Sequence, residues 1–408
     1  MKNKLLLLLF LLGVVFPLSA QESEVLISTS HTSLLLSTPQ GGELKFLYYG
    51  RKLTDADVHA VVSTESGSFS AYPVYGLNCP SESALSVQHE DGNMTLQMEV
   101  IGVETIHQEK ADLTVISLKD KVYPFYVKLC YKAYQDVDVI EAWTEISHKE
   151  KKNVKLNQFA SAYLPVRKGN VWLSSLYGAW ANEARLVQEP LEPGMKVIKN
   201  KDGVRNSHTA HAEVMFSLDG QPRENSGRVI GAALCYGGNY KLRIDTDESE
   251  YHHFYAGINE DNSVYHLKSG EVFKTPELAL TYSDEGLSGG SRNFHRWARA
   301  YKLANGDKLR KILLNSWEGV YFKINESGMK QMMADISSMG GELFVMDDGW
   351  FGKRNDDNSS LGDWVVNEEK IGEPLKDFIE KINQLGMKFG IWFEPECVNE
   401  DSDFFRAH

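Results

Sequence analysis

Asp347 and Asp348 stand side by side directly after an apolar run, Leu343-Phe344-Val345-Met346, and Trp350 follows them closely. Trp317 ends an earlier apolar run, and Glu394 and Glu396 end a later one, Lys388-Phe389-Gly390-Ile391-Trp392-Phe393. Carboxylates accept hydrogen bonds from sugar hydroxyls, and the apolar face of a pyranose stacks on tryptophan. Two opposed carboxyl groups would also serve as nucleophile and acid/base in glycosidic cleavage. On residue types alone, Asp347 or Asp348 would pair with Glu394. A structural role competes, with Asp347 as a strand-end cap and Glu394 salt-bridged beneath the site.

Other chemistries find less support. His208, His211, His252 and His253 have no companion carboxylate at metal-ligand spacing and read as surface or loop histidines. No glycine-rich phosphate loop follows an apolar run, and no Gly-x-Ser-x-Gly elbow occurs. No metal and no organic cofactor is therefore expected. A formal net charge of −13 without a Lys/Arg block argues against a nucleic-acid partner. Cys79, Cys130, Cys235 and Cys397 are widely scattered and read as buried free thiols.

The elements that would hold these residues change character along the chain. From about Glu24 to Glu285, runs of alternating polarity follow one another, as in Phe125, Val127, Leu129 and Tyr131, then Ile140, Ala142, Thr144 and Ile146. Period-two alternation buries one face and solvates the other, so Glu141, Trp143 and Glu145 fall on the solvated side. Turn signals such as Asp91-Gly92-Asn93 and Gly237-Gly238-Asn239 separate the runs. The pattern predicts a large antiparallel sandwich over 21–290. Helical spacing of Phe294, Trp297, Ala298 and Tyr301 then predicts a helical linker over 291–310.

From 311 onward, strands alternate with helices. One helix carries Met329, Met332, Met333, Ile336 and Met339 on one face as core packing, and another runs from Leu375 to Leu385 with Gly386 as its C-terminal stop. Continuous apolar strands between helices indicate a parallel sheet with polar and aromatic groups at the strand ends. A β/α barrel and a doubly wound sheet both place ligand there, and the pattern does not choose between them. A complete barrel needs about 250 residues, so three strands up to His408 read as an incomplete one.

At the N-terminus, Lys2 and Lys4 precede the apolar run Leu5–Val15, and Leu18-Ser19-Ala20 offers a cleavage site. Residues 1–20 read as a signal peptide, too short for a lasting span. The protein is expected to be exported, to the periplasm or beyond, with no membrane attachment after cleavage.

Longer motifs carry a family resemblance. Leu314-Asn315-Ser316-Trp317-Glu318, the stretch from Leu343 to Asp357, Leu361-Gly362-Asp363-Trp364 and Gly386 to Glu396 resemble glycoside hydrolase family 36. Asp138-Val139-Ile140-Glu141, Tyr177-Gly178-Ala179-Trp180 and Tyr282 to Leu287 extend the resemblance more loosely into the sandwich. It implies a multidomain β and α/β protein: a large antiparallel β-supersandwich followed by a (β/α)8 barrel, here incomplete. It implies a retaining α-galactosidase acting on terminal α-linked galactose of oligo- or polysaccharides, and a homo-oligomer in full-length form. By the resemblance Asp347 and Asp348 hold hydroxyls of the galactose, and Trp317 and Trp392 line the pocket. Glu394 and Glu396 match a family motif but not its catalytic pair, which replaces the pairing drawn from residue types. The family's nucleophile and acid/base fall at later strands, beyond His408, so this chain alone is expected to be inactive. An α-N-acetylgalactosaminidase, a galactosyl transferase of the same fold, or a non-catalytic sugar-binding sandwich are the alternatives. The sandwich departs from the family at Ala181-Asn182-Glu183-Ala184-Arg185 and at Ser207-His208-Thr209-Ala210-His211, which bears on oligomer geometry.

Overall fold

Phe125, Val127, Leu129 and Tyr131 are all buried along the strand Phe125–Tyr134, as are Ile140, Ala142, Thr144 and Ile146 along Val139–His148. The two strands pair antiparallel from Phe125↔His148 to Tyr134↔Val139, which sets both apolar rows on one face. They lie within a ten-stranded antiparallel sheet, beside a six-stranded and a four-stranded one. The inner faces form one core, where Phe216 and Phe254 meet edge to face with centroids 5.1 Å apart. The computed structural model describes residues 23–38, 42–64, 69–76, 82–166, 168–205 and 208–408. The expected leader and Cys79 lie outside them.

The solvated side of that sheet is not solvated everywhere. Glu141 is 3% exposed, accepts a hydrogen bond from the Tyr134 hydroxyl at 3.0 Å and pairs with Lys302 at 2.5 Å. The helix Gly286–Trp297 and the π-helical turn Ala298–Lys302 cover this patch, with Tyr301 against Tyr134. Alternation separates two faces but does not tell which will be covered from elsewhere.

The chain divides into two compact units between Gly306 and Asp307. The helix placed by its spacing in a linker thus starts before 291 and packs on the sandwich. Asn293 donates to the Thr281 hydroxyl at 2.9 Å, and Trp297 is 7% exposed. Phe294 rests on Gly231, where a Cβ would fall 2.7 Å from the Phe294 ring and 3.0 Å from Thr281 Cγ2. Gly231→Ala is expected to cost about 1–3 kcal/mol by overpacking. Equilibrium denaturation measures this, and an unchanged midpoint would refute it.

His252 and His253 are not surface histidines. Both are 1% exposed within the strand His252–Ile258. His252 Nε2 donates to the Gly169 carbonyl at 2.8 Å, and His253 Nδ1 lies 2.7 Å from the Tyr163 hydroxyl. Burial holds the His252 imidazole below its ordinary pKa. Cys130 is buried, its thiol pushed up to about 12, and Cys235 is half-buried, pushed up to about 11. Desolvation of the thiolate is the main cause in both. Cys397 is half-buried as well.

In the second unit Leu313–Asn315, Leu343–Met346 and Lys388–Ile391 form a parallel sheet in chain order. The helix Glu326–Ser338 starts at Asn325, whose side chain accepts from the Gly328 amide at 2.9 Å. Met329, Met333 and Ile336 are buried with Phe344 and Met346, and so are Phe378 and Ile382 of the helix Leu375–Gln384. Both crossovers therefore cover the same face, as in a barrel wall. Met339 does not join them: it sits past the helix end and is 72% exposed. The other face is partly open, with Leu313 49% exposed.

Candidate active site

Parallel strands in register bring their C-terminal ends level, and the side chains that follow them meet there. Asn315 pairs with Val345, and Val345 with Gly390, so the next residues on each strand emerge side by side. Asn315 Nδ2 donates to Asp347 Oδ2 at 2.5 Å, and Asn315 Oδ1 accepts from the Trp317 amide at 2.7 Å. The Ser316 hydroxyl accepts from the Asp347 amide at 3.0 Å, and Asp347 Oδ1 accepts from the Asp348 amide at 2.7 Å. Asp347 is thus both a cap for its own strand end and a carboxylate bridged to the first strand.

Asp348 is bound differently. Arg354 Nε donates to Asp348 Oδ1 at 2.9 Å and Nη2 to Oδ2 at 2.8 Å, a two-point fork on the carboxylate. Asp348 is 5% exposed and Arg354 3%, so the pair is desolvated. Arg354 Nη1 donates to the Ser359 carbonyl at 3.1 Å and to Asn399 Oδ1 at 3.0 Å. The guanidinium lies over the Phe322 ring, 5.1 Å from its centroid.

A second cation ties the surrounding loops. Lys370 Nζ donates to the Gly349 carbonyl at 2.8 Å and the Arg354 carbonyl at 2.6 Å. Burial, with the Arg354 charge adding to it, lowers the Lys370 ammonium below its ordinary pKa, against the pull of Asp348. Asn367 sets this lysine in place by accepting from the Lys370 amide at 3.0 Å while its Nδ2 donates to the Gly352 carbonyl at 2.7 Å. Gly349 has φ +103°, and a Cβ there would fall 3.0 Å from Phe322 Cα. The turn after the two acids accordingly takes glycine.

Trp317 is half-buried, its ring meeting Tyr321 and Phe322 edge to face at 5.1 and 5.0 Å. Trp392 is half-buried and anchored by its main chain: its amide donates to the Met346 carbonyl at 3.0 Å, and its carbonyl accepts from Trp350 Nε1 at 2.9 Å. Trp350 does not flank the acids as the spacing suggested. It is 2% exposed, packed on Phe351 and Phe393. Glu394 is half-buried and Glu396 exposed.

The structure therefore gathers Trp317, Asp347, Asp348 and Trp392 at one end of one sheet, and adds Asn315, Arg354, Lys370 and Asn399. Asn315 had a signal, since it ends an apolar strand beside Trp317. Arg354 had none, because a cation in a loop among Asp356 and Asp357 reads as solvated until the loop folds back. Fixed carboxylates with half-buried tryptophans beside them suit a neutral polyhydroxylated ligand.

Residues 42–268 match the glycosyl hydrolase family 36 N-terminal domain, and residues 272–408 match the melibiase family. The bifunctional alpha-galactosidase/sucrose kinase of Mediterraneibacter gnavus is 32% identical over 417 residues, 94% of this chain and 44% of that protein. Alpha-galactosidase Mel36A of Lactobacillus acidophilus is 35% identical over 306 residues, 74% of this chain and 42% of its own length. The alpha-galactosidase AgaA of Geobacillus stearothermophilus, solved as a single-substitution variant with 1-deoxygalactonojirimycin, superposes with a TM-score of 0.87 at 28% identity. That match covers 95% of this chain and 58% of the solved one. The chain spans less than half the length of the two curated relatives. With a family domain matched over more than half its length, the chain belongs to glycosyl hydrolase family 36.

Proposed function

We propose that the protein is an α-galactosidase that hydrolyses terminal α-linked galactose with retention of configuration. The observation that carries this is the pair Asp347–Asp348 at a barrel-strand end, each carboxylate fixed by its own partners, with Trp317 and Trp392 at the ends of the two neighbouring strands. The relatives support it: those named above are α-galactosidases, and variants of the Geobacillus enzyme have been solved with raffinose and with stachyose. On this reading Asp347 and Asp348 accept hydrogen bonds from galactose hydroxyls, and the two tryptophans bound the sugar's apolar face. Retention proceeds by double displacement, with two carboxyl groups about 5–5.5 Å apart. In this scheme Asp347 and Asp348 are binding groups and neither is a member of that pair. Export through the leader at 1–20 and homo-oligomerisation belong to the same reading.

The protein expressed from its complete gene should release galactose from aryl α-galactosides and from raffinose. NMR should show the α-anomer forming first. Release of N-acetylgalactosamine with no release of galactose would reject this substrate, and β-anomer forming first would reject the mechanism.

A further inference from the structure

We propose that Arg354 is a positioning residue that couples hydroxyl recognition at Asp348 to the stacking aromatic at Trp317; this rests on the galactoside reading above. A carboxylate has two acceptor directions on each oxygen. The guanidinium takes one direction on Asp348 Oδ1 through Nε at 2.9 Å, while Oδ2 accepts from both Nη2 at 2.8 Å and Nε at 3.1 Å, which leaves an outer direction on Oδ1. Held this way, Asp348 offers Oδ1 as an acceptor of fixed direction, matched to one hydroxyl of the sugar.

The fork is itself held on all sides. Nη1 is fixed by the Ser359 carbonyl and by Asn399, which follows the third strand. Asn399 in turn accepts from the Leu361 amide at 3.0 Å and donates to the Asp357 carbonyl at 2.9 Å. The guanidinium face carries Phe322, and the Phe322 ring meets Trp317. One planar cation thus joins the hydroxyl-binding acid, the tryptophan loop of the first strand and the segment after the third. Lysine would supply the charge without the plane or the fork.

The test is steady-state kinetics on an aryl α-galactoside with the protein from its complete gene. Arg354→Ala is expected to raise KM about 10²-fold by loosening the site, with a smaller fall in kcat. Millimolar methylguanidinium should restore much of the lost kcat/KM, and sodium chloride at equal ionic strength should not. Arg354→Lys should stay close to the alanine variant. Wild-type KM in Arg354→Ala, or equal recovery with sodium chloride, would overturn the proposal. If Arg354→Ala does not fold, Asn399→Ala leaves the ion pair intact and is expected to raise KM several-fold; an unchanged KM there would equally overturn it. A wild-type protein that does not turn over galactosides defeats the galactoside reading, whereas an active wild type with unaffected variants defeats this inference alone.

Discussion

Asp348→Ala should destabilise the second unit far more than Asp347→Ala, although both should abolish galactoside binding. Removing Asp348 leaves the Arg354 guanidinium, 3% exposed, with only the solvent-exposed Asp357 carboxylate 3.4 Å from Nη2 as counter-charge. Breaking a buried pair from one side costs about 3–5 kcal/mol. Asp347 is partnered by an amide side chain and a backbone amide, both neutral, and losing those bonds costs about 1–3 kcal/mol. The two acids are neighbours of one type, so a difference in stability isolates what lies behind each. Denaturant titration followed by tryptophan fluorescence measures it: Trp317, Trp350, Trp364 and Trp392 report on the second unit, and Trp143, Trp172, Trp180 and Trp297 of the first unit give a contribution common to both variants. Equal losses for the two variants would show that the Arg354 fork contributes nothing beyond an ordinary hydrogen bond.

Trp350→Ala is expected to cost about 3–5 kcal/mol, the range for emptying a buried tryptophan site. Its ring is 2% exposed and lies against Phe351, Trp364 and Phe393. Its indole nitrogen also holds the Trp392 carbonyl. Trp350→Phe separates the two roles. It keeps much of the apolar volume and drops the hydrogen bond, at a stability cost of about 1 kcal/mol. Sugar affinity should then fall by more than stability does, because Trp392 loses one of its two main-chain anchors. A phenylalanine variant with wild-type affinity would show that the Met346 carbonyl alone is enough to place Trp392.

Much of this organisation can be read along the chain. Period-two runs marked the sandwich strands, and Phe125 to Tyr131 and Ile140 to Ile146 point where their alternation says. The strand–helix–strand pattern placed Asp347 and Asp348 at a strand end, because a parallel sheet puts successive strand ends on one side. Such features are local: they follow from backbone geometry and nearest neighbours. Glu141, His253, Trp350 and Arg354 are different, since each is buried by something distant or folded back onto it. Lys302 reaches Glu141 from a distant part of the chain, and Tyr163 reaches His253 across 90 residues. The Arg354 loop returns to Asp348 over six residues and takes its last partner from Asn399. Whether a charge is solvated or buried depends on which segments cover it, and a local pattern contains no term for that.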